Sequence, residues 1–220
     1  MIETGISFDN IHSFFDLNLI LSAVEIAPAI PKTNYVDIPG TDGALDLTEA
    51  NGGVKFSDRT HKFTLTMNPA DDLSEAGWEA KKTEVSNCLN GKACRITLDK
   101  DPDYYWQGRC TVDSYKSNKR IRQFVISARV RPYKFKQKET VATFNLTEAG
   151  QTVSLQNSRR SVCPVITCTN DNTVIVFNGN TFSFNAGSHK DLNIRFTEGI
   201  NNVTISGIGQ VTFTYQEGDL

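Results

Sequence analysis

The segment Arg59-Thr-His-Lys-Phe-Thr-Leu-Thr-Met67 carries the most regular pattern in the chain, because apolar and polar side chains alternate along its whole length. The residues that fall on one face of an extended chain are His61, Phe63, Leu65 and Met67. Lys62 and the threonines fall on the other face. This period of two residues predicts a half-buried β-strand.

A single helix is predicted shortly after this strand. Asp72 or Ser74 can serve as the N-cap, Glu75 lies in the first turn, and Asn90-Gly91 provides the stop signal. Apolar residues recur at the spacing of one helical face. The buried stripe is therefore predicted to consist of Trp78, Val85, Cys88 and Leu89.

Strand patterns surround the helix on both sides. Upstream, between Gly5 and Thr48, short apolar alternations such as Leu17, Leu19 and Leu21 are broken by prolines and glycines, which is typical of strands joined by shaped loops. Downstream, long alternating segments predict three strands at Cys94–Leu98, Tyr105–Tyr115 and Phe124–Val130. We therefore expect an α+β domain over residues 1–137.

The second half has no helical period, and a charged, featureless segment from Gln137 to Thr140 marks the domain boundary. Residues 138–220 are expected to form an all-β domain, a sandwich or a jelly roll. Its clearest element is a hairpin turning at Asn178-Gly179-Asn180. Further strands are predicted at Leu192–Phe196, Val203–Ile205 and Val211–Tyr215. The fold class is mainly β with one α-helix.

The composition excludes several classes of protein. The 220 residues carry a formal net charge of -2, with 39% hydrophobic and 22% charged residues, which argues against a disordered chain or a generally basic nucleic-acid binder. No signal peptide is recognisable, and no segment approaches the run of about 20 apolar residues that spans a bilayer. We expect a protein made in a cytoplasm, without membrane insertion.

Metal and catalytic sites are not indicated. Asp99, Asp101 and Asp103 alternate as in a calcium loop, but Pro102 and Tyr104 stand where the sharp turn is needed, so a solvated turn is favoured. The three histidines, His12, His61 and His189, are scattered. We predict no catalytic, cofactor-binding or metal-binding residues, and no enzyme activity.

The five cysteines show no CxxC pair and no neighbouring histidine, which makes zinc improbable. They are Cys88, Cys94, Cys110, Cys163 and Cys168. In a reducing compartment they are interpreted as small buried hydrophobic residues, with one disulfide formed later as the alternative.

A basic run without acidic residues extends from Ser114 to Lys138. Such a run could contact phosphates. Its middle alternates with apolar residues, however, and its ends are a turn and an exit of a hairpin, so a solvated or subunit-facing edge is favoured over nucleic-acid binding. The run contains Lys116, Lys119, Arg120, Arg122, Arg129, Arg131, Lys134, Lys136 and Lys138.

Three segments, in order along the chain, together indicate a family. The first is Tyr35-Val-Asp-Ile-Pro-Gly-Thr-Asp-Gly-Ala-Leu-Asp-Leu-Thr-Glu49, with a proline-glycine loop and a short Asp-Gly strand. The second is Tyr104-Tyr-Trp-Gln-Gly-Arg109, followed by a long strand that ends at Arg131-Pro-Tyr-Lys-Phe135. The third comprises the closing strands from Asn193 to Leu220. In this order the three segments resemble the distal tail proteins of siphovirus-type phages.

This resemblance implies a structural subunit of the tail tip of a virion, assembled in the host cytoplasm. Residues 1–137 would be a belt domain that closes into a homo-hexamer of one or two rings, and residues 138–220 a galectin-like β-sandwich. About 80 residues is short for such a sandwich, which argues against a full set of strands. The implied partners are the tail tube, tape measure, tail-associated or baseplate, and receptor-binding proteins.

The alternative function is a carbohydrate-binding module. A sugar site needs polar groups around a stacking aromatic side chain, which the fold alone does not supply. The second half has no tryptophan, and Tyr215 is its only tyrosine. The structural role is therefore favoured over the lectin role.

Overall fold

The computed structural model describes residues 5–50, 52–118 and 121–220. It is mainly β, with one helix among the described residues, as the sequence predicts. The chain divides into two compact units, of which the first comprises the residues up to Lys134 together with Leu220, and the second comprises Phe135–Asp219. The boundary predicted from the sequence lies between residues 137 and 138.

The first unit is built on one antiparallel sheet and a separate two-stranded ribbon. Its elements are β1 (Ile6–Phe8), β2 (Ile11–His12), β3 (Leu19–Glu25), β4 (Tyr35–Asp37), β5 (Ala44–Asp46), β6 (Arg59–Met67), α1 (Glu75–Leu89), β7 (Ala93–Leu98), β8 (Tyr104–Ser117) and β9 (Arg122–Val130). The strand order of the sheet is β2-β1-β7-β8-β9-β6-β3, and the ribbon pairs β4 with β5.

Strand β6 confirms the alternation predicted from its sequence. Phe63 and Leu65 are fully buried, whereas Lys62 is exposed. The strand pairs with β3 on one side and with β9 on the other, where Phe63 lies opposite Ile126. The buried face of β6 therefore joins the buried faces of its neighbours in one continuous core.

Helix α1 covers this core and begins as the sequence predicts. The Oγ of Ser74 accepts a hydrogen bond from the N–H of Gly77 at 3.1 Å, which caps the first turn. Gly91, directly after the helix, has φ +77, a conformation that favours glycine. Trp78, Val85 and Leu89 are buried, but Cys88 is only half-buried, so the predicted stripe is narrower by one residue.

The second unit contains two four-stranded antiparallel sheets. Their strands are β11 (Thr140–Asn145), β12 (Gln151–Asn157), β13 (Val165–Cys168), β14 (Thr173–Phe177), β15 (Asn180–Phe184), β16 (Gly187–His189), β17 (Gly199–Ser206) and β18 (Gln210–Tyr215). The strand orders are β11-β18-β13-β16 and β12-β17-β14-β15, and side chains from both sheets, such as Phe213 and Ile205, form one buried cluster. Two further short strands, β10 (Lys134–Lys136) and β19 (Gly218–Asp219), pair with each other outside these sheets.

The structure corrects the predicted strands of this unit. The unit has eight strands in two four-stranded sheets. The predicted strand at residues 192–196 is wrong. Ile194 and Phe196 are fully buried, but this segment is held by a single bridge between Val162 and Phe196 and forms no ladder. Alternating burial without a neighbouring strand produced the false strand signal.

The hairpin between β14 and β15 turns on two residues rather than three. Asn178 and Gly179 have φ of 48 and 77, and Asn180 already pairs with Phe177. Positive φ at both central residues is the signature of the tight hairpin turn that matches strand twist. The hairpin is confirmed, with a shorter turn.

Glu217 connects three segments of the second unit although its side chain is only 7% exposed. Its carboxylate lies 2.8 Å from the Lys136 ammonium and accepts hydrogen bonds from the Thr140 and Ser158 hydroxyls. Burial raises the pKa of Glu217, but these hydrogen bonds outweigh it and hold the pKa below its ordinary value. The buried carboxylate is therefore charged at neutral pH.

We expect Trp78→Ala to destabilise the first unit by about 3 to 5 kcal/mol, because it removes the largest buried side chain that α1 contributes to the core. Trp78 is 4% exposed and contacts the rings of Phe124 and Tyr115, with centroids 4.9 and 6.2 Å away. Denaturant unfolding would measure the loss. Phe15→Ala, at a ring that is 81% exposed, is the control and should change little. An unchanged midpoint for Trp78→Ala would contradict this account of the core.

We expect Glu217→Gln to lower the unfolding free energy of the second unit by about 1 to 3 kcal/mol at neutral pH, because a charged acceptor is lost. A carboxyl whose pKa is lower in the folded protein than in the unfolded one stabilises the fold. This stabilisation is lost as the pH falls below the ordinary pKa of 4.5 and through the lower pKa of the folded state. The difference between variant and parent should therefore shrink below that pH. Glu148→Gln, at an exposed position, is the control. A difference that persists in acid would show that packing, not charge, is responsible.

Candidate functional site

Residues 33–50 form a two-stranded ribbon, here called the arm. Strands β4 and β5 pair with Tyr35 opposite Asp46, and the chain reverses through Gly40 and Gly43, which have φ of 86 and 76. Every residue of the arm is exposed except Thr48, which is half-buried. An isolated two-stranded hairpin is marginally stable in water at best. The arm thus exposes nearly all of its residues.

The two faces of the arm differ in chemistry. Strand alternation places Val36 and Leu45, which lie opposite each other, on one face together with Ile38 and Leu47. These four side chains are between 36% and 49% exposed. The other face carries Tyr35, Asp37 and Asp46.

The arm is also acidic. It contains Asp37, Asp42, Asp46 and Glu49 and has no lysine or arginine. The hydroxyl and the backbone N–H of Thr48 hold the pKa of Asp46 below its ordinary value. The arm is therefore a negatively charged ribbon at neutral pH.

The outer face of β8 and β9 has the opposite charge. Arg109 and Arg129 lie directly opposite each other, and the N–H of Arg131 donates to the carbonyl of Gln107 at 3.1 Å. We call Arg109, Arg129 and Arg131 the arginine face. They line a depression of about 530 Å³ in which Asp58 is the one acidic lining residue.

The arginine face is only partly neutralised within the first unit. Arg129 pairs with Asp58 at 3.2 Å, but its side chain remains 76% exposed. The guanidinium of Arg109 donates to the carbonyl of Gly91. Like charges directly opposite on neighbouring strands are unfavourable. This surface therefore favours an anionic partner.

The remaining members of the basic run do not form one patch. Arg122 is buried, pairs with Glu75 at 2.8 Å and lies over the Trp78 ring. Lys134 pairs with Asp101 at 2.8 Å, and Lys136 pairs with Glu217. Lys116 and Lys138 are exposed, while Lys119 and Arg120 lie outside the described residues. The prediction of a solvated run is wrong for Arg122, because Arg122 lies on the same buried face of β9 as Phe124.

Two of the three aspartates that alternate as in a calcium loop bind other protein groups. Asp99 accepts a hydrogen bond from the N–H of Gly5 at 2.7 Å and lies 3.1 Å from the Nε2 of His12. Asp101 is paired with Lys134, and Asp103 is exposed in a turn. Among the described residues, no three His, Cys, Asp or Glu side chains are arranged to hold a metal ion.

The histidines are separate from one another, and each has a local role. His12 is paired with Asp99, and the Nε2 of His189 lies 2.8 Å from the carbonyl of Asn185. His61 is fully buried, and its Nδ1 accepts a hydrogen bond from the N–H of Ala27. Burial, with a smaller effect of the Arg59 charge, lowers the pKa of His61 to about 4. His61 is therefore neutral at physiological pH.

All five cysteines are free thiols in the structure. Cys94, Cys110 and Cys168 are buried, whereas Cys88 and Cys163 are half-buried. Cys94 and Cys110 lie on neighbouring strands, and their sulfur atoms are 3.3 Å apart. Hydrogen bonding between them lowers the pKa of Cys94 and raises that of Cys110.

The arm and the arginine face are surfaces that were not predicted from the sequence. The signal for the arm lies in residues 35–49, which combine alternating apolar residues with four acids and no base. The arginine face has no local signal, because Arg109 lies opposite Arg129 only through the pairing of β8 with β9. In the described part of the chain, no helix is long and apolar enough to cross a bilayer.

No protein-family model matches the sequence, and no curated protein matches it. Among solved structures, the chain is similar to the SPP1 phage protein Dit (gp 19.1), described as a paradigm of the hub adsorption apparatus of phages that infect Gram-positive bacteria. The TM-score is 0.71 at 12% identity, over 99% of both chains. The chain also matches the phage P2 baseplate in its activated conformation with Ca, at a TM-score of 0.43 and 8% identity over 97% of both chains.

The SPP1 Dit match confirms, at the level of the fold, the resemblance found in the sequence. It extends over nearly the whole chain, so both units are included. At 12% identity the match shows a shared fold, and the match at a TM-score of 0.43 carries no argument.

Freshly purified, denatured protein should show five reactive thiols, because every cysteine is unpaired. In the native protein, Cys88 and Cys163 should react before the three buried thiols. Titration with a chromogenic disulfide reagent measures both rates, and Cys163→Ser should remove one fast equivalent. Three or one reactive groups in the denatured protein would show a disulfide and contradict this prediction.

Proposed function

We propose that this chain is a structural ring subunit of a phage tail tip, which joins the tail tube to the baseplate and its adhesion apparatus. The observation that carries the proposal is the fold that this chain shares with SPP1 Dit over 99% of both chains. SPP1 Dit is a hub protein of an adsorption apparatus. A match confined to one unit would support only a shared domain. A match over both units supports a shared architecture and, with it, a shared role.

The arm supports self-association. Its apolar face contains Val36, Ile38, Leu45 and Leu47, which are between 36% and 49% exposed and would gain stability from further burial. A soluble protein that displays such a ribbon generally covers it in an assembly. Because the arm differs from the rest of the surface, its docking on another copy would be head-to-tail, and such contacts give closed rings or open filaments. A homo-hexamer of one ring, or of two, is the proposed assembly.

The partners proposed for the ring are the tail tube and tape measure proteins on one side and the baseplate and receptor-binding proteins on the other. In this proposal the first unit is the belt, and the second is a galectin-like sandwich. No enzyme activity, stable nucleic-acid binding or membrane insertion is part of this role. The site of action is the tail tip of the virion, after assembly in the host cytoplasm.

The second unit, described in full, does not favour the carbohydrate-binding alternative. Its exposed large hydrophobic side chains are all aliphatic: Val141, Val165, Leu192, Ile200 and Ile208. Tyr215 is buried, and its hydroxyl donates to the carbonyl of Gln156. The other accessible aromatic rings of the unit, those of Phe144, Phe182 and Phe184, are half-buried against its core.

Purified full-length protein should form rings of about 146 kDa, six times the 24.4 kDa chain. Light scattering measures the mass, and negative-stain electron microscopy counts the subunits. Twice that mass would indicate two stacked rings. A monomer at the highest attainable concentration would contradict the proposed function, and binding on a glycan array would then favour the lectin alternative.

A further inference from the structure

The acidic face of the arm lacks partners that would explain its composition. Tyr35 is 60% exposed, and it shares this face with Asp37 and Asp46. The aspartates cannot stabilise the ribbon through pairs with arginine or lysine inside the arm, since residues 33–50 contain neither. The backbone hydrogen bonds of the ribbon do not depend on the aromatic side chain or the two carboxylates on this face, so we infer that these side chains contact another molecule.

The arginine face presents the complementary chemistry. Guanidinium groups form bidentate hydrogen bonds with carboxylates and stack on aromatic rings. Their aliphatic stems also offer apolar surface to a side chain such as Tyr35. Arg109 and Arg129 are held opposite each other by the register of β8 and β9, so an anion placed between them would relieve their repulsion.

We propose that the acidic face of the arm of one copy docks on the arginine face of the next copy around the ring. Tyr35, Asp37 and Asp46 contact Arg109, Arg129 and Arg131 of the adjacent copy. This inference rests on the proposed function, since it assigns the contact that closes the ring.

A second copy of the chain fits this surface better than a nucleic acid does. The depression also contains Asp58, which pairs with Arg129 and repels phosphates and carboxylates alike, so the depression suits a short segment with few charges better than a polyanion. The chain itself supplies such a segment, because the arm carries four acidic residues without a base. Since the two surfaces are different, one copy can use its arm and its arginine face simultaneously, as a closed ring requires.

The test is a charge exchange in the full-length protein. The arm variant Asp37→Lys/Asp46→Lys and the face variant Arg129→Glu/Arg131→Glu should each raise the midpoint concentration for assembly by roughly 100-fold, since attraction becomes repulsion. Mixing the two variants should restore rings, because each arm then meets an opposite charge on its neighbour. An alternating ring of six closes, as six is even. A single chain with all four substitutions should assemble alone.

The controls are Lys100→Glu and Glu148→Lys, which reverse exposed charges outside both surfaces and should leave assembly unchanged. Circular dichroism of each variant shows whether it folds, and the mixing experiment excludes a general folding defect. If the parent forms rings and neither charge variant weakens them, the inference is wrong and the proposed function stands. The inference is also wrong if the variants fail to complement each other.

Two further outcomes are decisive. A parent protein that stays monomeric would overturn the proposed function together with this inference. If the face variant keeps its rings but loses retention of single-stranded DNA that the parent shows, the arginine face binds phosphates, and the docking proposal is overturned.

Discussion

The burial of one face of β9, β8 and β6 beneath α1 is the constraint on which the rest of the first unit depends. Because side chains alternate between the two faces of a strand, Phe124, Ile126 and Phe63 can be buried only if their neighbours point outward. A shift of one residue would bring Arg129 into the core. The same register that forms the core therefore also positions the arginine face.

Gly108 makes this register possible. A Cβ at this position would lie 2.3 Å from the carbonyl oxygen of Arg129 and 2.7 Å from a methyl group of Val130, so no other residue fits without displacing β9. The close approach of β8 and β9 at Gly108 holds the adjacent pair of Arg109 and Arg129 in line. A packing requirement on the inner side thus determines the charge pattern on the outer side.

The sequence predicts regular, buried elements well and isolated ones poorly. The alternation in β6, the Ser74 cap and the Asn178-Gly179 turn are local signals, and the structure confirms them. The segment around Ile194 has the same alternation but no neighbouring strand, which the sequence cannot reveal because pairing is a long-range property. For the same reason, the sequence cannot show that Arg109 lies opposite Arg129, because this depends on the register between β8 and β9.

The arm illustrates a different limit of sequence analysis. Its alternation of Val36 with Asp37 and of Leu45 with Asp46 is indistinguishable from that of a strand in a sheet. What distinguishes the arm is that both of its faces remain exposed, so its apolar side chains are only partly buried and its acidic side chains have no lysine or arginine partner inside the arm. An alternating strand pattern that forms no core of its own indicates a surface that another subunit can cover. Its complement is found by comparing charges on the same molecule, where a segment with four acids and no base coexists with a sheet face of three arginines.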